Sequence, residues 1–565
     1  SSSNPLILYT MVWLRRTTCE SLVLLLATLC VAHTFINSCS RALVQRQQSL
    51  FQPIVFPRFN QGSALKKASS SSYFTTSGQN STWPEGGEGF VSDEMLLTTP
   101  EGYDLLEVQV VKTFLAKVPH LSSKFKSLNL PNKICTSQIC SVDEEESNYG
   151  EIFKADDIVL ADIIRNKGSV PTSRAFLRGG PRGTLHFDPK VSRAAIVTCG
   201  GLCPGLNDVI REIVMCLNNN YDCTRITGIR GGYNGFHDPT IPPMELTPEV
   251  VKDIHHEGGT ILGSARGGFD LEKIINFLVE GEYNQLYIIG GDGTHRGAHV
   301  IAEEVQKRGL NIAVAGVPKT IDNDIGIIDQ SFGFGTSVEA AQLAIRSAKI
   351  EAECSLPRGI VIVKLMGRYS GFIASHATLG SGDVDLCLVP EVPFRLKGPL
   401  GAYAHLEAVM ALKGHAVVVV AEGAGEKVME PTGELDAGGN RILPDVGEWL
   451  QKKLKKHFEE IGLPTNIRLI NPSYMIRSVS ANSADSLYCL GLAQNAVHGA
   501  MAGYTGFSVG QVNNQMVFIP IPVLTAASPR TLDPRSRIWD CVVSDTRQPN
   551  DIRSYDSDSE EEEDW

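Results

Sequence analysis

From Ala194 onward the chain repeats one pattern: a short unbroken apolar run, a turn rich in glycine or charge, then a longer amphipathic stretch. Runs of that kind offer no polar face to water, so they belong inside a parallel sheet covered by helices on both sides. The segments Ala194–Thr198 (AAIVT), Gln285–Ile289 (QLYII), Ile312–Gly316 (IAVAG), Gly359–Leu365 (GIVIVKL) and His415–Ala421 (HAVVVVA) predict strands. Helices are predicted over Asn207–Leu217, His295–Lys307, Ser337–Ile350, Val446–Glu460 and Ala484–Met501. Such alternation predicts a doubly wound α/β fold, in which ligands collect beyond the carboxyl ends of the strands. The turns after the strands therefore hold the candidate chemistry.

After the first strand comes Gly200–Asn207 (GGLCPGLN), where glycines let backbone approach a ligand and the next helix offers free N–H groups to an anion; a tight structural turn reads equally well. The second turn, Gly290–Thr294 (GGDGT), sets Asp292 between glycines at a strand end and helix start. A carboxylate there can hold Mg²⁺ while backbone amides cradle phosphates, with a structural loop as the alternative. In the third, Pro318–Asp324 (PKTIDND), Asp322 and Asp324 stand two residues apart beside Lys319, a spacing that suits one base and one orienting or metal-linked partner, or a solvated turn with an ion pair. Further turns bring Arg266 (GSARGG), Arg368 (MGR) and Glu422 (AEG), and Arg468 and Arg477 bracket a tyrosine-containing segment (NPSYMIR). One such arginine is ordinarily a surface residue. Glycine-rich and charged turns on successive strand ends together indicate Mg²⁺-dependent phosphoryl transfer to a phosphorylated or polyhydroxy acceptor.

The net charge of −12 over 565 residues argues against a chain that coats nucleic acid with basic residues, while leaving small anions open, since a few local cations suffice for them. The 13 cysteines are sparse, odd in number and without a CxxC pair, as in a reduced compartment; Cys199 and Cys203 read as buried thiols or as redox sensors. Residues 1–80 are basic, with MVWLRR, the apolar run Leu22–Ala32 and a serine-rich stretch behind it. That arrangement reads as a signal-plus-transit presequence for a plastid, with the cytoplasm as the alternative, and the apolar run is too short for a stable membrane span. The expected organisation is a presequence (1–80), an irregular N-terminal extension (81–190), a catalytic core of two α/β lobes (191–525) and a C-terminal segment (526–565) ending in a solvated acidic tail (SYDSDSEEEEDW).

Taken in order, GGLCPGLN, GSARGG, GGDGT, PKTIDND, MGRYSG, AEGAG and NPSYMIR resemble the 6-phosphofructokinase family over about 194–510. The resemblance implies two Rossmann-like lobes with the active site in the cleft between them, and transfer from ATP to fructose 6-phosphate with Mg²⁺, the committed step of glycolysis. By that resemblance Asp322 accepts the proton of the sugar 1-hydroxyl, with Asp324 and Arg368 as further catalytic residues, and Asp292 holds Mg²⁺. Gly201, Arg266, Gly267, Gly291, Asp292, Gly293 and Thr294 would bind the nucleotide. Thr320, Ile321, Asp322, Met366, Gly367, Arg368, Glu422, Tyr474, Met475, Ile476 and Arg477 would form the sugar-phosphate site, with Arg468 a further candidate for the 6-phosphate.

Donor choice turns on two positions. Pyrophosphate-dependent relatives carry Asp where this sequence has Gly293, and that acid would fill and repel the space of a nucleotide α-phosphate; Lys319, by contrast, matches the pyrophosphate enzymes. The Gly/Lys combination resembles the plant and trypanosomatid ATP-dependent branch. Alternatives are a pyrophosphate-dependent enzyme, opposed by Gly293, and a catalytically silent regulatory subunit, opposed by the retained acids. Tyr474 stands where bacterial members have His, and the neighbouring-subunit arginine of those members is not transferred to Arg358. The resemblance also implies effector regulation and a homo-oligomer of two or four chains.

Overall fold

The computed structural model describes residues 112–132, 134, 154, 156–164, 172–426, 428–430, 433–434 and 442–550. The presequence reading and the acidic tail lie outside the described residues. In chain order the strands are β1 (Lys112–Leu115), β2 (Leu130–Pro131), β3 (Ile158–Leu160), β4 (Thr172–Arg178), β5 (Thr184–Leu185), β6 (Arg193–Thr198), β7 (Arg225–Ile229) and β8 (Met244–Glu245). They continue as β9 (Gln285–Gly290), β10 (Ala313–Pro318), β11 (Gly359–Leu365), β12 (Leu386–Leu388), β13 (His415–Ala421), β14 (Asn466–Ile470), β15 (Phe507–Val512) and β16 (Gln515–Pro520).

The larger sheet runs β1-β4-β16-β15-β10-β9-β6-β7-β8, with β3 added antiparallel to β4; the smaller is β12-β13-β11-β14 and wholly parallel. The heart of the larger sheet, β15-β10-β9-β6-β7, is parallel as well. Every residue of β9 and β10 is buried. Alternate side chains feed two cores, because strand side chains point to opposite faces. Ala195, Val197, Leu286, Ile288 and Val314 meet the helices Leu271–Glu280 and Asp292–Lys307. Ile196, Tyr287, Ile289, Ala315 and Val317 belong to the core that holds the helices Leu206–Met215 and Ser483–Ala502. That core continues to Val361, Val363, Val417 and Val419 of the smaller sheet, whose opposite face packs on the helices Ala402–Lys413 and Val446–Glu460. The two lobes are thus joined by shared apolar packing.

From β6 the chain goes to β7 on one side and β9 on the other, so the winding reverses between β6 and β9 and opens a crevice beyond their carboxyl ends. The turns after residues 198 and 290 meet there.

Parts of the N-terminal extension and of the C-terminal segment are built into the fold. β4, inside 81–190, pairs with β16 and β1. Beyond residue 525, the helix Arg537–Thr546 buries Trp539 and Val542, and the Gln548 amide bonds both backbone groups of Cys387 in β12 (2.7 and 3.0 Å). Among the described residues no helix is long and apolar enough to cross a membrane.

Candidate active site

The turn after β10 carries the two acids in a braced conformation. The Thr320 hydroxyl donates to Asp324 Oδ1 (2.7 Å) and accepts from the Asp322 N–H (3.2 Å), while the Ser370 hydroxyl donates to the Asp322 carbonyl (3.1 Å). Asn323 between them takes φ 56°, a left-handed conformation that asparagine tolerates, and its Oδ1 accepts from the Ser331 N–H (2.9 Å). Asp322 Oδ1 is buried and has no hydrogen-bond partner. Burial, then the charges of Asp324 and Glu422, push its carboxyl up to about 8 against the opposing pull of the Arg368 N–H and guanidinium. A carboxylate poised so high, with an oxygen free to receive a proton, has the properties of a general base.

Asp292 opens the 16-residue helix Asp292–Lys307, whose N-cap, Gly291, has no side chain to satisfy the first amides, so those N–H groups remain for an anion. Asp292 Oδ2 pairs with Arg296 (2.6 Å), whereas Oδ1 is buried without a partner. Burial raises its carboxyl and Asp324 raises it further. A Cβ built on Gly293 meets nothing within 4 Å, so this side of the helix start faces open space. His295, one turn in, is buried against Ser508 (3.0 Å); burial lowers it to about 4, which makes it a neutral structural side chain.

The remaining turns close around these. The Gly200 N–H donates to Ala265 O (3.1 Å) and Ser264 Oγ to Gly200 O (2.6 Å), which docks the Arg266 turn against the turn after β6. Gly200 has φ 89°, and a Cβ there would lie 3.2 Å from Lys319 Nζ, so glycine suits both the backbone and the space. Lys319 is buried, donates to Gly201 O (2.8 Å), and is pulled down by that burial. From the smaller lobe come Arg368 after β11 and Glu422 after β13; Gly423 N–H donates to Gly367 O (3.0 Å) and binds these two turns together. Burial raises the Glu422 carboxyl, opposed by Arg368, Lys364, Arg477 and Arg266. Asp292, Asp322, Asp324, Lys319, Arg266, Arg368, Glu422 and Arg477 therefore form one electrostatically connected group.

The other sequence-selected residues divide. Gly267 (φ 77°) and Thr294, whose carbonyl accepts from Tyr233 (2.9 Å), lie in the same turns. Arg477 covers the Tyr474 ring (4.8 Å) and keeps a buried, unpartnered Nε. Tyr474 and Met475 are exposed, while the side chains of Ile321 and Ile476 are buried in the core, which leaves only their backbone for a ligand; Met366 packs against that core. Arg468 stands apart: it pairs with Val361 in register, four residues before the end of β11, and its guanidinium bonds Glu351 (2.8 Å). At about 3.3 Å per residue that is about 13 Å behind the rim where Arg368 sits. Cys199 and Cys203 are buried thiols, the first pushed up to about 12 by burial, which removes the thiolate a redox sensor needs. Among the described residues no three His, Cys, Asp or Glu side chains gather as a metal cage. One free carboxylate oxygen at a helix start that faces open space fits Mg²⁺ carried on a polyphosphate, which needs only one or two protein carboxylates.

Sequence reading missed Arg530. Its Nη2 donates to Asn323 O (3.1 Å), its N–H to Asp324 O, and its guanidinium lies 4.8 Å from the ring centre of Phe372 in the helix that follows the Arg368 turn. Arg530 thus ties the acid-bearing turn of one lobe to the other. Arg530→Ala should lower kcat by up to about 10²-fold by loosening Asp322, and Arg530→Lys should recover part of the loss. Equal activity of Arg530→Ala and wild type would exclude this positioning role.

A raised, part-unpartnered carboxylate grouped with glycine-led turns and arginines from two α/β lobes has the chemistry of a phosphotransferase. The chain belongs to the phosphofructokinase family, whose model, described as "Phosphofructokinase", matches residues 193–500. It is 47% identical over 442 residues to ATP-dependent 6-phosphofructokinase 4, chloroplastic, of Arabidopsis thaliana, covering 77% of this chain and 82% of that protein. It is 43% identical over 427 residues to the ATP-dependent 6-phosphofructokinase of Amycolatopsis methanolica, covering 73% and 92%. The crystal structure of a pyrophosphate-dependent phosphofructokinase from Marinobacter aquaeolei shares the fold at a TM-score of 0.53 and 18% identity, covering 64% of this chain and 92% of that one.

Proposed function

We propose that this chain transfers the γ-phosphoryl group of ATP to the 1-hydroxyl of fructose 6-phosphate, giving fructose 1,6-bisphosphate and ADP. The observation that carries the reading is Asp322, a buried carboxylate with one unpartnered oxygen, braced by Thr320 and Ser370 and linked by charge to Arg368. Asp322 takes the hydroxyl proton as the sugar oxygen bonds to the γ-phosphorus and the bond to the β–γ bridging oxygen breaks. Arg368, Lys319 and the amides at the start of the helix Asp292–Lys307 stabilise charge on the transferring group. Asp292 would hold Mg²⁺, which supplies charge neutralisation on the phosphates. Arg477 and Arg368 would take the acceptor phosphate, and Glu422 its hydroxyls. The test is incubation of the full chain with ATP, Mg²⁺ and fructose 6-phosphate, with the product's phosphorus resonances assigned. Phosphate on carbon 1 supports the assignment; phosphate elsewhere, or ATP hydrolysis alone, refutes it.

The raised Asp322 fixes a pH dependence. Proton transfer requires the carboxylate, so kcat/KM should climb with pH and level off above an apparent value near 8. Asp324→Asn removes a charge that holds Asp322 high and should shift this limb to lower pH; a limb unmoved by it would show that another group titrates. Stability follows with the opposite sign. The native value lies above the unfolded value of about 3.9, so the native state binds the extra proton between these limits and loses stability as pH rises across them. Asp322→Asn should accordingly melt higher than wild type at pH 8.

A plastid location is supported by the chloroplastic designation of the 47%-identical relative and by the composition of residues 1–80. Residues 1–80 fused to a fluorescent protein should reach plastids; diffuse cytoplasmic signal would oppose it.

A further inference from the structure

Between the helices Ile521–Ala526 and Arg537–Thr546 the chain passes from one lobe to the other in neither helix nor strand. Its buried N–H groups must therefore find partners outside their own segment. The Arg530 N–H ends on Asp324 O (2.5 Å) in the larger lobe, and the Leu532 N–H, two residues on, ends on Glu391 Oε1 (2.7 Å) in the smaller. Glu391 lies three residues beyond β12, in the sequence Pro390-Glu391-Val392-Pro393, where the two prolines restrict the backbone on either side.

The same Glu391 oxygen accepts a second bond, from the Gly371 N–H (2.9 Å). Gly371 is the N-cap of the helix Phe372–Ser381 and makes no side-chain cap bond. In a capping box the cap N–H is taken by a glutamate within the helix; here Glu391 supplies that acceptor from across the fold. Contact is close at this point, since a Cβ on Gly371 would lie 2.5 Å from Val389 Cβ. Directly before Gly371 stands Ser370, whose hydroxyl holds the Asp322 carbonyl (3.1 Å).

The supports of the Asp322 turn thus converge on one atom. One arm runs from Glu391 through Leu532 to Arg530, which holds the carbonyls of Asn323 and Asp324. The other runs through Gly371 to Ser370, which holds the carbonyl of Asp322. Leu532 is buried in the core and Gln548 bonds β12, so the C-terminal segment has anchors of its own. What Glu391 adds is a fixed spacing between the Arg368 turn and Arg530.

We propose that Glu391 is a positioning residue for phosphoryl transfer, one carboxylate oxygen that sets the Ser370 and Arg530 supports against each other and so fixes the place of Asp322. The inference rests on the role of Asp322 proposed above.

The test compares Glu391→Asp with Glu391→Gln in the full chain. Aspartate keeps the charge but is one bond too short to reach both N–H groups, whereas the glutamine carbonyl keeps the reach and has two lone pairs to accept with. Glu391→Asp should lower kcat about tenfold or more with KM for ATP unchanged, and Glu391→Gln should stay within about threefold of wild type. Amide hydrogen exchange of residues 320–325, which needs no turnover, should quicken in Glu391→Asp and not in Glu391→Gln. Glu391→Ala, which removes the acceptor outright, should behave as Glu391→Asp does, and its loss in kcat should add less than fully to that of Arg530→Ala, because both release the same turn. Wild-type kcat and exchange in a folded Glu391→Asp, a lowered melting temperature without faster exchange of 320–325, or a Glu391→Gln as impaired as Glu391→Asp would each overturn the proposal. Absence of phosphotransfer to fructose 6-phosphate in the wild type would overturn the functional reading instead, and the exchange comparison would still decide whether Glu391 holds the turn.

Discussion

Replacing Asp322 by asparagine is expected to lower turnover by about 10²- to 10⁴-fold, the range attributed to a lost general base, with ATP affinity nearly unchanged. The substitution is close in shape, and the contacts that hold the turn come from its neighbours: the Thr320 hydroxyl, the Ser370 hydroxyl on the Asp322 carbonyl, and Arg530 on the Asn323 carbonyl. The turn should therefore survive. The loss should fall on kcat because the carboxylate would act as the proton leaves, whereas the residues proposed for the nucleotide lie in the turns after β6 and β9 and in the Arg266 turn. A variant retaining wild-type turnover would remove Asp322 from the reaction. The higher melting temperature expected at pH 8 separates loss of chemistry from loss of fold.

Gly293→Asp should lower kcat/KM for ATP by at least about 10²-fold. The position is in the first turn of the helix Asp292–Lys307, and a Cβ there enters open space, so the variant side chain has no steric reason to destabilise the protein. What it changes is the ligand's environment. A carboxylate a few Å from an α-phosphate adds like-charge repulsion, about 4 kcal/mol at 4 Å for unit charges near a protein surface, enough for the stated effect. It also occupies the volume the α-phosphate would enter. Undiminished ATP kinetics in a folded Gly293→Asp variant would refute the donor argument and return weight to Lys319, buried against Gly201.

The elements most legible in the sequence were those whose burial is complete. β11 and β13 begin and end where the sequence places them, because buried parallel strands read as near-continuous apolar runs, broken here only by Lys364 and by His415 at the start of β13. The helix Val446–Glu460 likewise shows its cap, Asp445, and its buried stripe of Val446, Leu450, Leu454 and Phe458. The hairpin of β15 and β16 escaped notice, although Asn513-Asn514, both at positive φ, is a two-residue turn between apolar runs. β7 (RITGI) is short and interrupted by glycine, which hides it. Helix starts were placed late: Asp292 and Phe334 begin helices that apolar periodicity locates only from His295 and Ser337, since the first turns DGT and FGT hold at most one apolar residue beside a glycine. In the site, the turn residues were visible because chemistry-bearing side chains sit between glycines. Arg530 was not, since it reaches Asn323 across 207 residues of chain and nothing local marks it. Arg468 shows the opposite case: its sequence neighbourhood fits the site, and only strand register reveals that it lies back from the rim within this chain.

The most direct test is formation of fructose 1,6-bisphosphate by the full chain from fructose 6-phosphate and Mg²⁺, with ATP and with pyrophosphate as donors in parallel. The account predicts product with ATP and none with pyrophosphate. Product from pyrophosphate, or from neither donor with a folded chain, would contradict it.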